Sequence, residues 1–260
     1  MINTETASQF LSRTFALSTA QIEKVIGTAV GERRDAAFCD IYFQVGISEG
    51  LTWDQGILKN PSRDITSGAG VRVVIGDKTG YSYTDHVNFT NLKKAAKTAS
   101  AIARHAKNVA PVAIGNDGIA PHNLYAVQDG MVSLPLAEKV AMLKAIDAEA
   151  RSVDPRIVNV TASFGIEEEV VVIVTSLGDL ILDRRPLLRM SVSCLAQDGK
   201  RRETGSSGGR GRVDFSWVSE NDRWKTHARK AAQAAIDLLS AAPAPAGEMT
   251  VVLGNGWPGV

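Results

Sequence analysis

Ala37-Phe38-Cys39-Asp40-Ile41-Tyr42-Phe43-Gln44 is a run of aromatic and β-branched residues, the composition of a half-buried strand. Working outward, Glu49 to Gln55 alternates around Leu51 and Trp53, and Gln55-Gly56 reads as a turn. Ile57-Leu58 then opens a return strand that Asn60-Pro61-Ser62 is expected to end, because proline cannot donate to a ladder. Val71 to Ile75, the polar gap Gly76-Asp77-Lys78-Thr79-Gly80 and Tyr81-Ser82-Tyr83 complete a hairpin signal. Residues 37–83 therefore read as antiparallel sheet.

The same order of parts recurs. A helical pattern over Thr19–Arg34, with Ile22, Val25, Ile26 and Val30 on one face, precedes the first sheet. A helix through Leu136, Val140, Leu143 and Ile146, stopping before Asp154-Pro155, precedes a second one. There the strands are Ile157–Phe164, Glu169–Ser176, a return over Leu180–Asp183, and Leu188–Ala196. Gly178-Asp179 and Asp198-Gly199-Lys200 supply turns. Each sheet is followed by an Ala- and Lys-rich helix, Asn91–Lys107 and Trp224–Ser240. The reading is an α+β fold of duplicated helix plus antiparallel-sheet units, over about 19–109 and 135–241. The irregular Val109–Pro135 stretch connects them, and Ser133 is a candidate cap for the helix that follows.

Composition narrows the function classes. A chain of 260 residues that is 44% hydrophobic can bury a sizeable core, and a net charge of +1 creates no global field for nucleic acid or anionic membrane. The longest purely apolar run, Val170–Val174, is far too short to span a bilayer. It is placed at the centre of the second sheet, where Ile173→Asp is expected to prevent folding. No basic-then-apolar leader pattern is visible at the N-terminus, where a short helix through Phe10, Leu11 and Phe15 fits. Cys39 and Cys194 fall in apolar strands and read as buried, reduced thiols.

Chemistry-bearing residues are sparse. His86, His105, His122 and His227 lie far apart, without metal-ligand spacing, and neither a nucleophile elbow nor a Walker motif occurs. Gly199–Arg212 admits three readings. Composition favours a mobile surface loop; its glycines could cradle phosphate, but the P-loop order is missing; its arginines could meet nucleic acid, but no aromatics interleave. Its small residues also suit close approach of another backbone. Glu248–Leu253 reads as a strand that empties into Gly254-Asn255-Gly256-Trp257-Pro258-Gly259-Val260, so the chain is expected to stop partway through a domain.

Four segments taken together carry a resemblance: Asp40–Gln44; Gly68–Arg72 with Gly76–Gly80; Arg185–Arg189 through Gly205–Gly209; and Val251–Val260. They resemble the amino-terminal half of members of the TldD/PmbA family of bacterial metalloproteases. The resemblance implies a zinc peptidase that hydrolyses unfolded or modified peptides in the cytoplasm, paired with a PmbA/TldE-type paralogous subunit. In that family the Gly-Trp-Pro-Gly segment leads into a His-Glu-x-x-x-His helix. The zinc ligands are therefore expected outside this chain, with residues 1–246 forming an amino-terminal domain and 247–260 the start of the catalytic one. The part present is then expected to wall the substrate cleft, into which a peptide enters as an added strand. Ser206, Ser207, Gly208, Gly209 and Arg210 are the candidate substrate-binding residues; no catalytic or metal-binding residue is assigned. A non-catalytic scaffold or partner-binding module is the alternative from a different class.

Overall fold

The computed structural model describes residues 6–31, 37–103, 134–252 and 254. Helices α1 (Ala7–Phe15) and α2 (Thr19–Val30) lead into strands β1 (Ala37–Asp54), β2 (Ile57–Ile75) and β3 (Lys78–Thr84), followed by α3 (Phe89–Ala103). The second unit repeats the order with α4 (Leu136–Arg151), β4 (Ile157–Thr175), β5 (Leu180–Asp198) and β6 (Arg201–Gly211). A short α5 (Ser216–Ser219) and the long α6 (Arg223–Ser240) follow. The N-termini of α1 and α2 are fixed by reciprocal capping boxes, Thr6 with Gln9 and Ser18 with Gln21. The connection from 104 to 133, with His105, His122 and Ser133, lies outside the described residues; the N-cap position of α4 is Pro135.

The two units share one antiparallel sheet in the order β3-β2-β1-β4-β5-β6. They meet where β1 pairs with β4, in unbroken register from Asp40↔Thr175 to Asp54↔Thr161. Alternation therefore runs uninterrupted along β1, and its buried residues Cys39, Ile41, Phe43, Leu51 and Trp53 all point to one side. Two hydrophobic cores lie on that side. Cys39, Ile41 and Phe43 pack with α1, α2 and α3, whereas Leu51 and Trp53 pack with α4 and α6. On β4 the assignment reverses: Val160 to Ile166 serve the second core, Val172 and Val174 the first. Each hairpin thus reaches into the other unit's core. Buried Lys139 of α4 pairs with Glu49 of β1, which also accepts from Arg63 at 2.6 Å, tying the second layer to the first unit's strand.

Several expectations are corrected. Pro61 does not end its strand: Asn60 (φ 45°) and Pro61 lie opposite Leu51 in a register shift, and β2 continues to Ile75. The β2–β3 turn is two residues, Gly76-Asp77, so Gly80 lies within β3. Gly199–Arg212 is largely strand β6 and not a loop. Residues 248–252 form no strand, and Val251 and Val252 stay exposed, because strand-forming composition without a neighbouring ladder leaves the backbone unpaired. Ile173 faces the side opposite the helices and is half-buried; Val172 is the fully buried neighbour.

Both terminal strands are held by one device. A Cβ on Gly80 would stand 1.9 Å from the Ala99 carbonyl oxygen, and one on Gly205 would stand 2.3 Å from that of Ala231. Alanine stripes on α3 and α6 let the helix backbones come down onto glycine in the strand. Gly80→Val and Gly205→Val should each destabilise by about 3 kcal/mol through overpacking, measured by urea denaturation. Val172→Asp is expected to abolish cooperative unfolding, while Ile173→Asp should cost only about 1–3 kcal/mol.

Candidate functional site

With both helical layers on one side, the other face of the sheet carries no helix among the described residues, as antiparallel sheets permit. Its floor is built from small and polar residues: Gly46, Ser48, Gly50 and Thr52 on β1, with Ser163 and Gly165 opposite on β4. At one end Tyr81 and Tyr83 stack with centroids 6.4 Å apart. Tyr81 lies across Gly70, where a Cβ would fall 2.5 Å from its hydroxyl oxygen. Together with Tyr42, Gln44 and Gly68 they line a shallow groove of about 320 Å³. Burial and the neighbouring Glu169 push the Tyr42 hydroxyl pKa up. Arg185 bridges Asp183 at 2.6 Å and Glu169 at 3.2 Å, and Arg72 holds Asp40 bidentately at 2.9 and 2.7 Å.

Strand alternation divides the five residues singled out from the sequence. Ser206, Gly208 and Arg210 are exposed on the helix-free face. Ser207 and Gly209 turn toward α6: the Ser207 hydroxyl lies 2.9 Å from His227 Nδ1, and Gly209 sits beneath Trp217. Burial, then Lys230 and Arg223, lower the His227 pKa, which favours the neutral imidazole. Arg201 donates to the carbonyls of Leu238 and Ala241, both at 2.9 Å, and Arg202 to Gln197 at 2.8 Å. The basic run thus fastens the end of α6 and its own hairpin. Sequence reasoning passed over Tyr42, Tyr81 and Tyr83; the glycines at 68 and 70, beside a strand with tyrosines two apart, were the available signal.

Among the described residues the titratable groups do not converge on a reacting centre. Burial raises Cys39 to about 12 and Cys194 to about 11, which keeps both thiols protonated. Asp54 accepts from Lys59, from Asn159 at 2.9 Å and from Thr161 at 2.8 Å, and is held down at about 2. Among the described residues no group of three or more His, Cys, Asp or Glu is placed to hold a metal ion, so these residues do not fit a catalytic metal. No described helix is long and apolar enough to cross a membrane.

A second concavity lies on the helical side. Thr14, Phe15, Val45, Ile65, Ser67 and the 85–88 loop enclose a furrow of about 390 Å³ beside the outer edge of β2.

Fold and surfaces define a class: a duplicated α+β module offering a sheet face and a strand edge. This chain belongs to the PmbA/TldD metallopeptidase family. Residues 39–103 match its PmbA/TldA metallopeptidase domain 1 and residues 132–239 its central domain. Metalloprotease TldD homologues are similar in sequence. That of Haemophilus influenzae is 37% identical over 233 residues, covering 87% of this chain and 48% of that protein. That of Buchnera aphidicola subsp. Schizaphis graminum is 34% identical over 227 residues, covering 85% and 47%. The chain spans about half the length of these relatives. Two solved structures share the fold. A protein named as a candidate modulator of a DNA gyrase from Thermotoga maritima superposes with TM-score 0.68 at 20% identity, over 87% of this chain and 50% of that one. TldE from Thermococcus kodakarensis gives 0.53 at 14%, over 82% and 47%.

Asp54→Asn should destabilise the protein by about 1 kcal/mol at pH 7, the full shift being discounted for a partly solvated site. The folded-state pKa of about 2 lies below the ordinary 3.8, so this stabilisation is complete above the ordinary value and fades as pH falls through 2. Urea titrations of both proteins should therefore converge toward pH 2.

Proposed function

We propose that this chain is the amino-terminal part of a zinc metallopeptidase subunit that hydrolyses unfolded or modified peptides in the cytoplasm. In this reading residues 1–246 wall the path of the substrate and 247–260 begin the catalytic domain. The zinc ligands lie outside the chain, and a PmbA/TldE-type paralogue is the partner. The observation that carries it is the match of two consecutive units to domain 1 and the central domain of a metallopeptidase family. The helix-free face supports a walling role: its small polar floor would let an extended backbone slide over it with little steric or apolar trapping. Ser206, Gly208 and Arg210 stand at one end of that face, and the tyrosines near the other.

Two outcomes test this. The isolated chain should retain no stoichiometric zinc by elemental analysis and cleave no unstructured peptide. In the full-length natural protein, Ser206→Trp combined with Arg210→Glu should slow cleavage of such peptides severalfold at unchanged zinc content. Ser206 and Arg210 are chosen because they are exposed, whereas Ser207 and Gly209 support α6. Unaltered cleavage by that variant would remove the β6 end of the face from the substrate path.

A further inference from the structure

The two units are built alike but end differently at their outer strands. The β2–β3 turn at Gly76-Asp77 and the β5–β6 turn at Gly199-Lys200 align the copies, so Ile65–Gly68 of β2 corresponds to Leu188–Ser191 of β5. In the second unit those four residues are paired with Gly208–Gly211 of β6. In the first unit β3 stops at Thr84, opposite Ala69, and no described strand pairs with the outer edge of Ile65–Gly68. The furrow beside this edge also has a counterpart. In the second unit the chain beyond β6 packs Phe215 edge-on against Phe164, with centroids 5.1 Å apart. In the first unit the matching space is the 390 Å³ furrow between Phe15, Val45, Ile65 and Val87.

Edge chemistry along β2 is uneven. Lys59, Pro61, Arg63 and Asp64 are the residues that natural sheets use to repel a further strand. Ile65-Thr66-Ser67-Gly68 carries neither charge nor proline, and Ile65 is 65% exposed. The unguarded stretch coincides with the furrow. Its walls are preset: Phe15 packs at a tilt against Phe43 with centroids 5.9 Å apart, and Asn91 fixes the 85–88 loop by donating to the His86 carbonyl and the Asn88 side chain, both at 2.9 Å. One carboxylate, Asp85, lines the furrow; Asp64, opposite Ser48 in the ladder, faces the helix-free side of the sheet next to Ile65.

We infer that Ile65–Gly68 is a docking edge for an unfolded substrate polypeptide, which adds as a short antiparallel strand where β6 has its own residues 208–211. A large apolar side chain of the polypeptide enters the furrow as Phe215 does in the other unit, and the adjacent basic residue, turned to the other face by strand alternation, meets Asp64. That the occupant is substrate rests on the peptidase reading above; the strand-shaped site itself rests on the internal comparison of the two units.

The test is fluorescence anisotropy of the full chain with labelled Thr-Phe-Lys-Thr-Val-Thr and with the same peptide N-methylated at alternate residues. The plain peptide should bind and the N-methylated one should not. Ile65→Glu should weaken binding about tenfold or more, whereas Ile57→Glu, on the guarded part of the same edge and 57% exposed, should leave it unchanged. Thermal melts of both variants should match the parent, since both positions are exposed. Binding that survives Ile65→Glu, or no binding at a peptide concentration of about 1 mM, overturns the inference. So does a dimer in sedimentation that Ile65→Glu dissociates, since the occupant would then be a second copy. Failure of the peptidase reading looks different: peptide binding intact, but no hydrolysis by the full-length natural protein.

Discussion

The antiparallel pairing of β1 with β4 is the constraint on which the rest of the structure depends. Neither unit closes its own core. The tip of the β1–β2 hairpin places Leu51, Trp53 and Leu58 beneath α4 and α6, and the β4–β5 hairpin places Val172, Val174, Leu180 and Leu182 beneath α1 to α3. Removing apolar side chains from water is worth about 1.5–3 kcal/mol for each large one, so each half draws much of its stability from residues encoded in the other. The exchange also explains strands of 18 and 19 residues, well beyond common lengths: each must cross both cores. One continuous alternation then forces both helical layers onto one side.

From that one-sidedness follows the character of the opposite face. A face that carries no described helix has less reason to be apolar, and its centre is glycine, serine and threonine. Its charges are largely neutralised in place: Asp40 by Arg72, Glu169 and Asp183 by Arg185, Asp54 by Lys59. The glycines beneath the helices answer a different need. Gly80 and Gly205 are small because a helix backbone descends onto them, not because a ligand does. The Gly-Ser-Ser-Gly-Gly run illustrates how one composition serves two requirements, since alternate residues look up at α6 and out at solvent.

Much of this was legible in the sequence. The helices at 19–30, 136–151 and 223–240 and the hairpin turns declare themselves through apolar periodicity, capping residues and glycine position, which are local properties. The duplication was legible because the order of parts repeats. What local pattern could not convey was pairing between distant segments. Pro61 reads as a terminator until its place in a bulge on an edge strand is known, and Ile173 reads as core until its register with Tyr42 turns it away from the helices. The same limit applies to the surface. Tyr42, Tyr81 and Tyr83 are separated in the chain and meet only through the β1-β2-β3 ladder.

The difference between the two units bears on how a duplicated domain acquires asymmetry. An ancestral arrangement with identical halves would present two equivalent outer edges. Here one is filled by the chain's own residues 208–211 and by Phe215, and the corresponding stretch of the other, Ile65–Gly68, meets no described strand and lies beside a furrow of mixed apolar and polar lining. The remaining open part of β5 is protected by Asp183, Arg184, Arg185 and Pro186, and Arg184 lies 5.8 Å from the Phe10 ring of α1. A sheet under pressure only to avoid aggregation would guard both edges alike. Guarding one and leaving four residues of the other unguarded, with a preset pocket alongside, is what selection for strand capture at a single place would produce.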